Sequence, residues 1–227
     1  MSEARITEIN QGTFWTLINQ ARAQPENPDQ WLAEQLTAMG PEEAMMFAAF
    51  SDSYRSLANE YGLWTAAAVM DESCYSISGF SDFRTWLIGQ GKEVYMAALA
   101  DPDSLAGAPN YHVDKRDGGL ALVGEKVYQK LAGGDALWVF GSRAQLALRD
   151  ELKRGVAYGE GIGYPYDWPD VPAYLPRLCA KYLTGEHRAR YSRAAIRFNT
   201  WNPDNPAIKA ARRVAQKGKK GKGREQR

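Results

Sequence analysis

Apolar residues recur through the first hundred positions at intervals of three and four, the period of helices that bury one face. Phe14, Leu17, Ile18 and Ala21 form the first stripe, behind a Thr13 cap. Asn27 and Pro28 sit where a cap and a first helical residue belong, ahead of Trp31, Leu32, Leu36 and Met39. Gly40-Pro41 opens a third helix whose early Glu42 and Glu43 suit the positive end of a helix dipole. Its apolar row runs Met46, Phe50, Tyr54, Leu57, Tyr61 to a break at Gly62. "LWTAAAVM" then reads as a short buried helix and "DESCYSISG" as a turn.

From Phe80 the helical spacing resumes, with Gly89 or Gly91 as a stop, and a further helix carries Val94, Tyr95, Ala98 and Leu99 up to Asp101-Pro102. After a loop rich in Gly, Asp and Lys, Leu120, Val123, Val127 and Leu131 mark another helix. "ALWVF" reads as a short strand and "RAQLALRDELKR" as helix. The stretch "GVAYGEGIGYPYDWPDVP" holds too many Gly and Pro for a regular element, and Tyr158, Tyr164, Tyr166 and Trp168 make it an aromatic loop. Leu175, Leu178, Cys179 and Tyr182 follow at helical spacing, which places Cys179 on a buried face. The pattern predicts an all-α fold, an orthogonal or irregular bundle with at most one short strand pair. A helical domain over 1–184, a basic amphipathic extension over 185–216 and a disordered basic tail over 217–227 are the expected divisions.

Charge changes this picture more than composition does. The net +1 hides a polarity: up to Pro176 there are 13 Lys/Arg against 24 Asp/Glu, and from Arg177 onward 15 against 3. An acidic body with a basic end points to nucleic acid, an anionic surface or masking within the chain. Arg190, Arg193 and Arg197 share one side of a helix, and Lys217, Lys219, Lys220 and Lys222 follow in a low-complexity run, a set suited to sequence-blind contact with phosphates. The opening residues lack the pattern of an export signal, no apolar run approaches a membrane span, and Cys74 and Cys179 form no C-x-x-C. A cytoplasmic protein is the expectation.

The stretch "GFSDFRTWLIGQGKEVYMAALADPDSL" resembles the central signature of a bacterial domain of unknown function, the family numbered 4240. Phe14-Trp15, Trp64 and Leu175-Pro176-Arg177-Leu178 resemble its weaker landmarks, so the resemblance spans roughly Thr13 to Tyr182. It implies a mainly helical bacterial domain, sometimes found beside nucleic-acid-associated modules, with no agreed activity.

Within that signature Arg84 lies on the arc of Phe80, Leu87 and Ile88, extended by Phe83 and Trp86. A cation among apolar neighbours needs acceptors or a route to water. One reading ties Arg84 to Asp101, Asp103 or nearby carbonyls as a fold staple. The other makes Arg84 an anion-binding residue in a pocket walled by Trp86 and aromatic neighbours, with Asp101, Asp103, Tyr164 and Trp168 as further ligand contacts. Asp71, Glu72, Asp101 and Asp103 fit no defined metal motif, His112 and His187 are the only histidines, and "GEGIG" lacks the Lys-Ser/Thr of a phosphate loop. No cofactor, metal or catalytic residue is assigned. The expected function is an interaction or regulatory module with a protein partner, nucleic-acid contact through the basic end and no membrane. The alternative is an enzyme with its site near Arg84 and the Asp101/Asp103 turn.

Overall fold

In a computed structural model, residues 6–24, 26–111, 119–163 and 171–185 are described. Helices α1 (Gln11–Arg22), α2 (Pro28–Met39), α3 (Pro41–Leu57) and α4 (Tyr61–Met70) lead through a 3-10 turn at Glu72–Tyr75 to α5 (Ile77–Gly89) and α6 (Lys92–Ala100). A second 3-10 turn at Pro102–Gly107 precedes α7 (Gly119–Ala132), α8 (Ala136–Phe140), α9 (Ser142–Lys153), α10 (Val171–Tyr174) and α11 (Pro176–Tyr182). The all-α expectation holds, and the described residues contain no strand.

The hub is α3, against which α1, α2, α5, α7, α8 and α9 all pack. It is buried on more sides than one apolar row allows: Ala44, Phe47, Ala48, Phe50, Ser51, Ser53, Tyr54 and Leu57 are all inside. Phe14 stacks on Phe50 and Tyr54, and Trp15 joins Tyr54 and Tyr95, so the aromatic stripe of α1 closes one side of the hub. On another side α7 approaches at Gly124, where an added Cβ would lie 2.8 Å from both the Ala44 carbonyl and the Ala48 nitrogen. Only glycine permits that contact.

Three boundaries differ from the sequence pattern. The cap of α1 is Asn10, which accepts from the Gly12 and Thr13 amides, while Thr13 Oγ1 accepts from the Asn10 amide, so Thr13 closes a capping box from inside the helix. The row to Tyr61 is cut after Leu57, since Tyr61 opens α4. "ALWVF" is α8, not a strand: Asp135 caps it by accepting from Trp138 N at 2.8 Å, and Glu125 accepts from Ala136 N at 3.2 Å. With its first amides satisfied by side chains and no strand beside it, an apolar run of this length winds up.

The signature stretch forms α5, capped by Ser76 through the Gly79 amide at 2.9 Å. Phe80, Phe83, Trp86, Leu87 and Ile88 are buried as their spacing requires. The helix ends at Gly89, and Gly91, at φ +87, turns the chain into α6. Cys74 is fully buried, whereas Cys179 is partly exposed, so α11 covers that thiol less than its apolar spacing implies. No helix among the described residues is long and apolar enough to cross a membrane.

Candidate functional site

The C-terminal end of α3 lies inside the protein, and its last carbonyls need donors from elsewhere. Tyr95 donates its hydroxyl to the Tyr54 carbonyl at 2.6 Å, and Arg84 donates Nη1 to the Arg55 carbonyl at 2.9 Å. Tyr158 donates to the Leu57 carbonyl at 3.0 Å. Arg84 therefore places positive charge at the negative end of the hub helix, its guanidinium carbon 4.9 Å from the centre of the Phe80 ring. Burial, then the like charge of Arg55, lower its pKa from the ordinary value, against Asp52 and Tyr95. Arginine remains a cation under such a shift.

Of the expected partners, Arg84 meets a backbone carbonyl and neither Asp101 nor Asp103. The carbonyl it meets is 29 positions upstream, and Asp101 and Asp103 belong to Arg177. Asp103, 3% exposed, accepts from Arg177 N at 3.1 Å, Arg177 Nε at 2.8 Å and Leu178 N at 2.9 Å. Asp101 accepts from Arg177 Nη2 at 2.6 Å and from the Asp103 amide at 3.0 Å. Asp103 thus satisfies the first amides of α11 across the fold, behind a Pro176 that has no amide of its own to satisfy, while Asp101 holds the Arg177 side chain. Lys181 donates to the Ala106 carbonyl and Tyr182 to Asn110, which completes the clamp. Two cations of the basic end are thereby joined to the acidic body.

Trp86 is buried in edge-on contact with Tyr111. Its position on the same helical face as Phe83 made it core. Asp71 caps the first 3-10 turn through the Ser73 amide. Among the described residues no group of three His, Cys, Asp or Glu could hold a metal ion. The "GEGIG" segment is a pinned loop: Gly159 N donates to the Leu99 carbonyl, and Ile162 accepts from Gly62 N. Tyr164, Trp168, His112, His187, Arg190, Arg193, Arg197, Lys217, Lys219, Lys220 and Lys222 lie outside the described residues.

A cavity of about 220 Å³ lies between α3, α5, α7 and α8. Asp52, Arg55, Glu125 and Asp135 line it together with Ser51 and Thr85. Its apolar wall includes Ile88, Leu122 and Leu137. Asp52 is engaged by Arg55 and by Gln145 Nε2, which also reaches the Ala49 carbonyl and Ser53. Glu125 spends Oε1 on α8, yet its Oε2 and the Ser51 hydroxyl are buried without a partner. Such atoms are costly unless something else meets them.

Several large apolar side chains on the helices near the cavity are exposed. Trp138 is 86% exposed, with Val139 next to it, Leu122 and Leu131 on α7, and Leu146 on α9. Neither the cavity nor this face was singled out in the sequence. The available signals were the polar run Ser51-Asp52-Ser53 inside an apolar helix and an Asp ahead of "ALWVF", which is a helix start.

Neither the curated proteins nor the solved structures compared with this chain include a match. A family model described as "Protein of unknown function (DUF4240)" matches residues 9–130. That span takes in the whole signature and ends within α7, short of the Leu175–Leu178 landmark. Covering more than half of the chain, the match shows that this protein belongs to that family.

Proposed function

We propose that the protein is a non-catalytic binding module that holds a protein partner on the face built by α7, α8 and α9. The observation that carries this reading is Trp138, a large apolar side chain left 86% in water on a helix that two side-chain caps hold in place. Exposed aromatic anchors on rigid elements are the usual centres of protein interfaces, and Val139 beside it, Leu122 on α7 and Leu146 on α9 are exposed as well. The enzyme alternative has less support, because Arg84 is engaged by the end of α3 and Asp101 and Asp103 by the start of α11.

A photo-crosslinking residue at position 138, introduced in the native cell, tests the reading. The expected result is one dominant protein adduct that is absent when the same residue stands at Thr16, an exposed position on α1. Leu122→Ser combined with Leu146→Ser should abolish it. Identical adducts at both positions, or none, would overturn the interface.

The charge polarity supports an additional contact with nucleic acid through the basic residues beyond Gly185. Binding of a random-sequence duplex should weaken steeply with salt and vanish when Arg190, Arg193, Arg197 and the lysines from Lys217 to Lys222 are changed to Gln. Salt-independent binding would exclude it.

A further inference from the structure

We infer that the cavity beneath α8 is a receptor for an organic cation, an ammonium or guanidinium group carried on an apolar stem. The inference stands apart from the interface reading, since it rests on the inside of the cavity and not on Trp138.

Charge comes first. Three carboxylates, Asp52, Glu125 and Asp135, line the cavity against one guanidinium, Arg55, and that guanidinium is already paired with Asp52. An anion entering here would meet net negative charge. The second observation is independent of charge: Ser51 is only 5% exposed, lines the cavity, and has a hydroxyl with no partner. The buried Oε2 of Glu125 is in the same condition. A cationic N–H donor supplies what both oxygens lack, and a charge-assisted bond to a carboxylate is about twice as strong as a neutral one.

Size and lining narrow the class. A volume of about 220 Å³ equals the share of roughly seven waters at ~30 Å³ each, below the ~300–1,000 Å³ of pockets that hold whole cofactors. It suits a group the size of a lysine or arginine side chain. The described residues offer no cluster for a bare metal ion, and the apolar wall of Ile88, Leu122 and Leu137 fits the methylenes of an alkyl stem. Glu125 is also linked to α8, because its other oxygen accepts from the Ala136 amide at the start of that helix.

The test uses the full chain and three probes followed by amide NMR: butylguanidinium, butylammonium and neutral n-butanol. The expected result is saturable binding of both cations with a shift of the Ala136 amide, and at least tenfold weaker binding of n-butanol. Glu125→Gln keeps the oxygen that caps α8 and should weaken cation binding at least tenfold. Ser51→Ala, which removes no cap, should weaken it severalfold and serves as the second variant. Equal binding of n-butanol, no saturation by either cation, or unchanged affinity in both variants overturns the inference. Further arms identify the source of the cation. Tighter butylguanidinium binding after Arg190, Arg193 and Arg197 are changed to Gln assigns the cavity to this chain's own basic end. An Arg-containing peptide that binds over tenfold tighter than butylguanidinium assigns it to a partner side chain. Equal affinity of peptide and probe, with no change in the Gln variant, assigns it to a free amine or guanidine. A missing adduct at position 138 would leave all of these outcomes readable.

Discussion

The Asp103 clamp and the α8 cavity use the same materials, buried carboxylates beside arginine and helix starts, and reach opposite states. At the clamp three donors converge on one carboxylate, and Pro176 removes the amide that would otherwise need a fourth acceptor. At the cavity Glu125 gives one oxygen to α8 and keeps the other unpartnered, next to an unpartnered Ser51. A closed set of hydrogen bonds fixes two parts of a chain; an open set in a lined cavity leaves room for a molecule that completes it.

That contrast fixes the sign of several outcomes. Asp103→Ala should show the largest effect, a loss of about 3 kcal/mol, because it strands the Arg177 and Leu178 amides at a buried site. Urea unfolding should report it, with Tm lower by roughly 6–12 °C.

Alkali should come next. Burial raises the Cys74 thiol from 9.0 to about 12 and the Tyr158 phenol from 10.0 to about 12. Burial likewise raises Tyr95, Tyr54 and Tyr111. Groups with raised folded pKa values contribute stability that is complete below their unfolded values and is lost as pH climbs toward the folded ones. Unfolding free energy should therefore fall from about pH 9 upward, each group adding at most ~1.4 kcal/mol per pH unit. A flat denaturation midpoint between pH 8 and 11 would contradict the burial of this cluster.

Arg84→Met should cost about 1 kcal/mol by uncapping α3, and Arg84→Lys should cost less because it keeps a charge at the dipole. Ser51→Ala should reverse the sign and raise stability by up to about 1 kcal/mol, since it removes a hydroxyl that burial leaves unsatisfied. If Ser51→Ala destabilises as Asp103→Ala does, the contrast between the two regions fails.

Much of the frame is legible in the chain because local spacing decides it. Phe80, Phe83, Trp86, Leu87 and Ile88 are core by helical geometry alone, and Asn27-Pro28 and Gly40-Pro41 announce helix starts from neighbouring residues. The partners of polar groups were not legible, because they are set by distant packing. For Arg84 the sequence leaves Asp101, Asp103 and nearby carbonyls open; the partner is the Arg55 carbonyl, which sequence spacing cannot distinguish from any other. Asp101 and Asp103 meet Arg177 from over seventy positions away. The cavity draws Ser51, Glu125 and Asp135 from separate elements, so no window of sequence contains it. "ALWVF" was misread because a short apolar run has no period of its own, and its caps, Asp135 and Glu125, include one from the preceding helix.

The buried end of α3 also carries a timetable. Its Arg55 and Leu57 carbonyls wait for Arg84 and Tyr158, which leave the ribosome long after the helix itself. A nascent chain halted before Tyr158 would hold a hub helix whose Leu57 carbonyl lacks its finished partner, a hydroxyl not yet made. Completion of the central helix thus reports that the chain has been synthesised at least through the loop that follows α9.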